Sequence, residues 1–398
     1  MATVSDEKKK TGRASTPKKV ENQLWARAAG RCEFRGCNKI LYTDDLTKLK
    51  DNLSVISHII AYEKDGPRGH ETLSDLLKTD ISNLMLTCKD HGKIIDSYEH
   101  VAKYSVDLLR EYKKEHEDRI KILTGVLEDF KTHVLLFLAP IDGRTFNIDQ
   151  SQIFHTLQPR YSSTEYPYSI DLSDICNVET KEGWPFLCQT INQKFKDIFR
   201  NGVNRKDFHH ISVFALAPIP LLVYLGSLIG DINNVDLYQK HRSTDKWTWK
   251  DESEDGEIFY QISGPEEHNA AASTAIAISV SGDVAKDNIR RLLGGDCNLY
   301  EIRAANPGLD FLSSKAKQKA FSLAYRELLR DIRGVNGHFN EIHLFSASPA
   351  PVAIESGRAV MPKCDPPIKV YDFIGKDSGF VYALTINEHL KGQGGSDG

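Results

Sequence analysis

Residues 209–231 read HHISVFALAPIPLLVYLGSLIGD, and the pattern of this stretch recurs along the chain. A short apolar run of strand length is closed by an Ala-Pro turn and followed by an apolar segment of helix length. The stretches HVLLFLAPI (133–141), TAIAISVSGD (274–283) and EIHLFSASPAPVAIESGRAVMP (341–362) repeat this scheme. Alternation of strand and helix predicts α/β units on a parallel sheet.

The pattern contains an internal repeat. FALAPIPLLVYLG (214–226) and FSASPAPVAIESG (345–357) both place a Pro turn between a strand and a small or apolar helix, and HVLLFLAPIDG resembles the first half. Ligands of open α/β sheets lie at the carboxyl ends of strands, beside helix N-termini. Two such units therefore predict a two-lobed pocket for an anionic ligand. The alternative is an ordinary strand-to-helix connection that binds nothing.

Length and composition indicate a two-domain globular protein. The chain has 398 residues, of which 40% are apolar and 27% charged. It contains no apolar run long enough for a transmembrane span, and its N-terminus lacks the apolar core of a secretion signal. The seven cysteines are odd in number and scattered, which argues against a disulfide framework. We therefore expect a cytoplasmic location and no membrane partner.

Charge and composition divide the chain into sections. The net charge is −4, yet residues 1–50 hold twelve Lys or Arg against six Asp or Glu. We expect residues 1–20 to be a basic disordered arm, which either contacts phosphates or is a solvated tail. Residues 21–125 form one predicted domain, which ends in a long charged helix. Residues 133–390 form a second domain, and 391–398 are a flexible tail.

Two pairs of potential metal ligands lie in the first predicted domain. RCEFRGC separates Cys32 from Cys37 by four residues, and LTCKDHGKIID separates Cys88 from His91 by two. Thiolates and imidazoles in paired knuckles suit a tetrahedral zinc ion, which adds folding energy to a small domain. Four protein ligands leave no open coordination position, so this zinc is expected to be structural. The alternative is four unrelated residues.

A histidine interrupts an apolar run between these pairs. In SVISHIIAYEKDGPRGH (54–70), His58 is either a buried structural group or a positioned base. SNLMLTCKDH places Asn83 just before an apolar strand that ends in the second knuckle. The order of knuckle, strand His, Asn, knuckle and helix resembles the HNH endonuclease family. The matching residues are Cys32/Cys37, Ser57-His58-Ile59-Ile60, Asn83-Leu84, Cys88 with His91, and Ile95-Asp96.

The resemblance to HNH endonucleases implies a ββα fold with a catalytic metal. By that resemblance His58 is the general base that activates water against a phosphodiester, and Asn83 orients the loop or the ring of His58. A divalent ion, Mg²⁺ or a similar metal, neutralises the phosphorane and the leaving 3′-oxygen. We expect Arg68, in the Gly-Pro-Arg-Gly turn, to contact the scissile or a neighbouring phosphate.

The chain departs from the HNH pattern at two positions. Many members have Asp before the base His, where this chain has Ser57, and many have a metal-binding His directly after the second knuckle, where it has Gly92. Asp96 lies one helical turn after Gly92 and on the same face. A carboxylate or His at that position is a metal ligand in some members, so by this resemblance Asp96 is the expected ligand of the catalytic metal.

The second predicted domain resembles the SAVED domain of bacterial anti-phage immunity. Three segments carry the likeness: HISVFALAPIPLLVYLGSLIGD, DLYQKHRSTDKWTWKDE and EIHLFSASPAPVAIESGRAVMPKCDPPIKVYD. The resemblance implies two fused CARF-like lobes that bind a cyclic di- or trinucleotide messenger, with cyclic GMP-AMP as the expected type. An HNH unit joined to a SAVED unit resembles the DNA-degrading effectors of CBASS, the cyclic-oligonucleotide-based anti-phage systems. The predicted fold is thus an α+β zinc-stapled ββα-metal domain followed by an α/β SAVED domain.

The messenger pocket is predicted from the chemistry of nucleotides. Bases bind aromatic or guanidinium faces, and phosphates bind cations and helix N-termini. The alternatives are packing against the sheet for the tryptophans, a helix cap for the serines and a salt bridge for the last arginine. The predicted ligand residues are Pro218, Gln239, Lys240, Arg242, Trp247, Trp249, Ser346, Ser348, Pro349 and Arg358.

Three functions are compatible with these observations. In the first, the messenger drives self-association from a dimer to a higher-order homo-oligomer, so that paired HNH sites cut both strands of double-stranded DNA. In the second, the protein is a non-enzymatic sensor whose zinc domain only binds DNA or a partner, and Ser57 and Gly92 mark a lost metal site. In the third, the same chemistry cuts RNA.

Overall fold

The computed structural model describes residues 16–125, 128–175, 183–201, 209–232, 234–250, 259–269, 272–336, 341–375 and 379–388. The chain divides into two compact units, Met1–Leu127 and Glu128–Gly398. Most of the predicted arm and all of the predicted tail lie outside the described residues. The predicted arm extends too far, because residues 18–20 already belong to the first helix, where Val20 packs on a buried cluster. None of the described helices is long and apolar enough to cross a bilayer.

The first unit pairs two short strands and places a helix directly after them. Its elements are α1 (Lys18–Arg27), β1 (Ser54–His58), α2 (Leu73–Leu76), β2 (Leu84–Cys88), α3 (Lys89–Ile95) and α4 (Val106–Thr124). Strands β1 and β2 are antiparallel, with Ser54 opposite Cys88 and His58 opposite Leu84. Helix α4 is the charged helix predicted at the end of this domain, and the Ser105 hydroxyl caps its start by accepting a hydrogen bond from the Leu108 amide. The unit therefore contains a β1–β2–α3 arrangement.

Strand β2 is buried on both faces. Leu84 and Leu86 pack in one apolar cluster with Leu24 of α1, whereas Met85 packs in a second cluster with Ile59 and neighbouring residues. Alternation along the strand sends successive side chains to opposite faces. The strand pair that carries His58 is thus held from both sides.

The second unit contains two mostly parallel sheets with helices between their strands. Its elements up to the middle are β3 (Lys131–Leu138), α5 (Gln150–Thr156), β4 (Tyr161–Ser162), β5 (Tyr168–Asp171), α6 (Gly183–Lys196), β6 (Ile211–Leu216), α7 (Ile219–Ile229) and β7 (Val235–Tyr238). The remaining elements are β8 (Tyr260–Ser263), β9 (Thr274–Ser279), α8 (Lys286–Leu292), β10 (Asn298–Ala304), α9 (Lys315–Asn336), β11 (Ile342–Ala347), α10 (Ala350–Arg358), β12 (Ile368–Phe373) and β13 (Phe380–Ile386).

The order of strands confirms the mixed α/β prediction. One sheet has the order β4-β3-β6-β7, with β5 also pairing β3, and all of these pairs are parallel. The other has the order β13-β12-β11-β9-β10-β8, in which β9 to β12 are parallel and the two edge strands are antiparallel. Parallel strands joined through helices give the alternation that the sequence shows.

The two repeated segments pack against each other through helices α7 and α10. A Cβ built on Gly226 would lie 2.0 Å from the Ile354 carbonyl oxygen, and a Cβ built on Gly357 would lie 1.9 Å from the Val223 carbonyl oxygen. These two contacts exchange equivalent positions of the repeat, so the crossing is nearly symmetric. Glycine at both positions allows the helix backbones to approach more closely than any side chain would permit.

Candidate functional site

Four potential metal ligands converge in the first unit. The ligand atoms of Cys32, Cys37, Cys88 and His91 all lie within 4.8 Å of one another. The Nδ1 atom of His91 lies 3.1 Å from the Cys88 sulfur and 3.8 Å from the Cys32 sulfur. Bonds of about 2.0–2.3 Å to a tetrahedral zinc ion place ligand atoms at such separations. The donors therefore fit zinc in number, kind and spacing.

The surrounding chain holds these ligands in place. Cys88 ends β2, and His91 lies in the first turn of α3. The ring of Phe34, between the first two cysteines, stacks on the His91 ring with 4.1 Å between centroids and 7° between planes. Burial raises the pKa of the Cys32 thiol to about 12. A bound metal cation would have to displace that proton, because only the thiolate is a ligand.

His58 lies at the end of β1 and is only 7% exposed. Its Nε2 atom is 3.0 Å from the main-chain carbonyl oxygen of Lys78. A carbonyl oxygen only accepts hydrogen bonds, so Nε2 carries the hydrogen and Nδ1 holds the lone pair of the neutral ring. The ring of Tyr62 meets the His58 ring edge-on, with 5.5 Å between centroids. The position and tautomer of this imidazole are thus set by its neighbours.

Asn83 fixes the chain segment that follows His58. Its side-chain oxygen accepts a hydrogen bond from the Ile60 amide at 2.8 Å, and its Nδ2 donates to the Ile60 carbonyl at 2.9 Å. The same Nδ2 lies 3.2 Å from the Leu77 carbonyl oxygen. Asn83 is 2% exposed, so these bonds join two buried loops. These contacts are with the loop and not with the His58 ring.

Arg68 does not reach outward as predicted. Its side chain is 3% exposed. Its Nε and Nη1 atoms donate to the carbonyl oxygens of Ile59 and Ile95 at 2.7 and 2.6 Å, and its Nη2 lies 3.3 Å from the carbonyl oxygen of His58. The predicted phosphate contact is therefore wrong in this structure. A buried guanidinium is stable here because main-chain carbonyls accept its hydrogens, which joins the His58 segment to the end of α3.

The two positions that depart from the HNH pattern lie side by side. A Cβ built on Gly92 would lie 3.2 Å from the Ser57 hydroxyl and 3.0 Å from the Thr87 hydroxyl. These two hydroxyls are 3.0 Å apart and share a hydrogen bond. Small side chains thus fill the space between β1, β2 and α3, where carboxylate or imidazole ligands would be needed to hold a metal.

Asp96 follows α3 and is half-exposed. Its Oδ1 lies 3.9 Å from Nη2 of Arg68. Within the described residues, the four-residue Cys/His group is the one set of three or more His, Cys, Asp or Glu that converges as metal ligands do. Among the described residues, Asp96 therefore belongs to no group of three or more such ligands.

Two residues beside His58 were not singled out from the sequence. Tyr62 packs on the His58 ring, and the Lys78 ammonium lies 4.6 Å from the centroid of the Tyr62 ring. These residues come from loops on opposite sides of α2. No spacing or periodicity relates them, so only folding reveals the group.

In the second unit, the two predicted Pro turns stand at equivalent places. Pro218 precedes α7 and Pro349 precedes α10, each at the carboxyl end of a parallel strand. The Ser346 and Ser348 hydroxyls hydrogen-bond to each other at 2.7 Å. Neither caps α10, whose N-cap is Pro349 without a side-chain bond. The serines and both turns thus lie at the edge of the sheets where α/β ligands bind.

The segment that leads to Trp247 is a turn. His241 and Lys246 form an isolated antiparallel bridge, and the Lys240 ammonium lies 2.9 Å from an Asp245 carboxylate oxygen. Trp247 is 0% exposed and packs edge-on against Phe214 with 5.2 Å between centroids. The predicted ligand contact of Trp247 is therefore wrong, because its ring covers the sheet. Arg242, in the same turn, is exposed.

Several buried polar atoms of this turn have no hydrogen-bond partner among the described residues. Buried polar groups are normally paired with protein, water or ligand, so these atoms have hydrogen-bonding capacity that the described residues do not fill. The atoms are Gln239 Oε1, His241 Nε2, Trp247 Nε1 and Trp249 Nε1.

Arg358 belongs to the helix packing and not to a pocket. Its Nη1 lies 2.7 Å from a Glu355 carboxylate oxygen, and its Nη2 donates to the Ile232 carbonyl at 3.0 Å. The Glu355 side chain is 5% exposed, and the Ser322 hydroxyl also donates to it. The predicted ligand role of Arg358 is wrong, and the alternative salt bridge is correct.

A comparison with protein-family models identifies the fold of this unit. Residues 191–386 match the SAVED family, described as the SMODS-associated and fused to various effectors sensor domain. These residues form a SAVED domain. The match begins inside α6, so β3, β4 and β5 of the predicted 133–390 domain precede it. No curated protein matches the chain in sequence.

Solved structures with distant similarity carry SAVED domains as well. The Acinetobacter baumannii Cap4 SAVED/CARF-domain containing receptor with the cyclic trinucleotide 3'3'3'-cAAA is 14% identical over 73% of this chain and 62% of that chain, with a TM-score of 0.43. The Moraxella osloensis Cap4 SAVED/CARF-domain containing receptor is 13% identical over 73% of this chain and 60% of that chain, with a TM-score of 0.38. This chain therefore spans less than two thirds of the length of these receptors.

Proposed function

We propose that this protein is a CBASS effector that senses a cyclic di- or trinucleotide through its SAVED domain and then degrades double-stranded DNA. The observation that carries the sensing half is the match of residues 191–386 to a family of sensor domains that are fused to effectors. The paired Pro turns before α7 and α10 offer helix N-termini to phosphates. The unpaired polar atoms of Gln239 and Trp249 offer hydrogen bonds to bases. A messenger of the cyclic GMP-AMP type is the first candidate.

The nuclease half rests on the surroundings of His58. With Nε2–H on the Lys78 carbonyl, Nδ1 of His58 accepts a proton from water as that water attacks the phosphorus. The bond from phosphorus to the 3′-oxygen then breaks, and the leaving oxygen takes a proton from solvent. Asn83 and Arg68 hydrogen-bond to the main chain of residues 58–60, so the imidazole of His58 is positioned before DNA binds.

The donor atoms of the first unit fit one of the two expected metals. Zinc fits the group of Cys32, Cys37, Cys88 and His91 and would hold α3 to the turn after α1. Mg²⁺ does not fit a protein shell around Asp96, because Ser57 and Gly92 supply no ligand and Arg68 lies beside the carboxylate. No catalytic step is therefore derived through Mg²⁺. If a divalent ion takes part, the DNA phosphate has to supply most of its ligands.

Activation is proposed to occur through self-association. A permanently active nuclease would destroy the DNA of its own cell, so the messenger must bind the assembled state more tightly than the resting state. Assembly of a dimer into a higher-order homo-oligomer would bring pairs of His58 sites onto opposite strands. Duplex DNA is favoured as the substrate because cutting by such pairs leaves a lasting break.

The test is a plasmid-nicking assay with Mg²⁺ and a panel of cyclic di- and trinucleotides, with the His58→Ala variant in parallel. Cutting with one messenger, lost in His58→Ala while messenger binding is kept, supports both halves of the proposal. Cutting that persists in His58→Ala removes His58 from the mechanism. No cutting with any messenger, despite measured binding of one, refutes the nuclease half.

A second candidate function is a non-catalytic sensor whose first unit only binds DNA or a partner. The observation in its favour is the close packing of Gly92 against the hydroxyls of Ser57 and Thr87, which leaves no metal ligands at those positions. The plasmid-nicking assay, with titration of Mn²⁺ into the zinc-loaded protein, separates the two candidates. Cutting that depends on His58 favours the nuclease, and messenger binding without cutting favours the sensor; a Mn²⁺ site outside the zinc group that Asp96→Ala abolishes would restore Asp96 as a metal ligand.

A further inference from the structure

Burial of Arg68 leaves the proposed base without the cation that the sequence assigned to it. Attack on a phosphodiester adds negative charge to the phosphoryl oxygens in the transition state, and active sites place cations or hydrogen-bond donors where that charge develops. Ser57 and Gly92 supply no metal ligand at this place. A cationic side chain near His58 is therefore the feature that the proposed chemistry still requires.

The structure provides such a side chain in Lys78. Its main-chain carbonyl accepts the Nε2–H of His58 at 3.0 Å, so the backbone of Lys78 touches the base directly. Its ammonium lies 4.6 Å from the centroid of the Tyr62 ring, and that ring is 5.5 Å from the His58 ring. The Lys78 side chain is 31% exposed. The ammonium is thus partly exposed to solvent and lies over the ring that packs edge-on against the imidazole.

The ammonium also has a counter-ion that a phosphate can replace. Asp75 lies 2.9 Å from the Lys78 Nζ, and Asp75 is 55% exposed. This ion pair raises the pKa of Lys78, so the ammonium stays charged at neutral pH. Exposed ion pairs of this kind are weak, because both charges are well solvated. A phosphate diester at the base can therefore exchange with Asp75 at low cost.

We propose that Lys78 is a catalytic residue that contacts the scissile phosphate beside His58, with Tyr62 as the positioning residue that holds its ammonium there. This inference rests on the proposed nuclease function. In the reaction, the water oxygen bonds to phosphorus, the water proton passes to Nδ1 of His58, and the bond to the 3′-oxygen breaks. Lys78 forms no covalent bond and stabilises the charge that the phosphoryl oxygens gain.

The experiment compares full-length variants in messenger-activated DNA cutting. Lys78→Met should lower kcat by about 100-fold or more, as the loss of one transition-state donor does in other enzymes. Lys78→Arg should recover most of that loss, because it keeps the cation. The matched control is Lys64→Met, since Lys64 pairs with the same Asp75 at 3.4 Å, whereas the ammonium 4.6 Å from the Tyr62 ring centroid is that of Lys78. Lys64→Met should change kcat by about threefold at most.

Substitutions at Asp75 and Tyr62 test whether the Lys78 ammonium acts on the phosphate or only stabilises its own loop. Asp75→Asn should lower KM for DNA, because it removes the competitor for the ammonium, whereas a loop that merely needs the ion pair would lose activity. Tyr62→Phe should keep the activity and Tyr62→Leu should lower it, since only the ring face attracts the cation. Zinc content and messenger binding are measured for each variant to show that both units are folded.

The outcomes are distinct for this inference and for the proposed function. Lys78→Met with kcat near that of the wild type overturns the inference alone, while cutting by the wild type still supports the nuclease. Equal losses in Lys78→Met and Lys64→Met also overturn it, because they reflect general charge. Absence of cutting by the wild type with every messenger overturns both.

Discussion

Replacement of Gly357 by alanine should destabilise the second unit at the crossing of α7 and α10. The added Cβ would lie 1.9 Å from the Val223 carbonyl oxygen and 2.8 Å from the Ser227 amide nitrogen. Carbon and oxygen atoms in ordinary contact are about 3.5 Å apart. The two helix backbones would thus have to separate by more than 1 Å, or α10 would have to shift along its axis, in a region where Val352 and Ile354 are fully buried.

The magnitude follows from two opposing effects. Overpacking of a close-packed interior costs about 1–3 kcal/mol. Alanine in place of glycine inside a helix regains about 0.5–1 kcal/mol of that, because glycine loses more conformational entropy on folding. We therefore expect a net loss of about 1–2 kcal/mol in the free energy of unfolding of the second unit.

The assay is urea unfolding followed by tryptophan fluorescence. Three of the four tryptophans, at positions 184, 247 and 249, lie in the second unit, so the signal reports mainly on that unit. The matched control is Gly334→Ala in α9, where no heavy atom lies within 4 Å of the built Cβ. This variant should gain only the stabilisation that alanine gives a helix relative to glycine. A midpoint for Gly357→Ala equal to or above that of the wild type would refute the close approach of α7 and α10. The double variant with Gly226→Ala should lose less than the sum of the single losses, since one separation relieves both contacts.

Three other predictions concern the metal group, the buried arginine and pH. Cys88→Ser should release one equivalent of zinc, measured by elemental analysis, and unfold the first unit, whereas Cys364→Ser, at an exposed position, should change neither; zinc retained in Cys88→Ser would remove that thiol from the ligand set. Arg68→Ala should cost about 3 kcal/mol of first-unit stability in thermal unfolding, because buried carbonyl groups lose their donors; a fully stable variant with only a raised KM for DNA would restore the phosphate contact. Burial lowers the pKa of His241 and of His343 below the ordinary value of 6.5, so below that pH the unfolded chain binds protons that the folded chain does not. The urea midpoint of the second unit should therefore be constant above about pH 6.5 and fall below it. A midpoint that stays constant down to about pH 5 contradicts this direction of the pH dependence.

Local pattern was sufficient for the architecture of the second unit. A strand, a Pro turn and a helix of small or apolar residues can each be recognised from a few neighbouring residues, because apolar residues recur with the period of the element. The repeat of FALAPIPLLVYLG and FSASPAPVAIESG was legible for the same reason. The sequence did not predict that the two helices would be in backbone contact through Gly226 and Gly357, since the partner of each glycine lies in the other repeated segment.

Local spacing also indicated the metal group and the environment of His58. Cysteine and histidine pairs at knuckle spacing bring together two ligands each, and an Asn before an apolar strand places an amide beside a neighbouring loop. The predicted ligand contacts were wrong where a side chain could bind either a ligand or other groups of the protein. Arg68 and Arg358 carry the same charge whether they face a phosphate or donate to carbonyl oxygens far away in the chain.

The amino-acid sequence alone specified the two-part α/β organisation, the four converging metal ligands and the histidine between them, because these depend on residue type and short-range spacing. Tertiary structure decided that Arg68 is buried, that Trp247 packs on a sheet and that the Lys78 carbonyl contacts the His58 ring. The physical reason is that a long polar or aromatic side chain gains a similar interaction free energy from any of several buried partners. Which partner it meets is set by segments that are distant in sequence and adjacent only after folding.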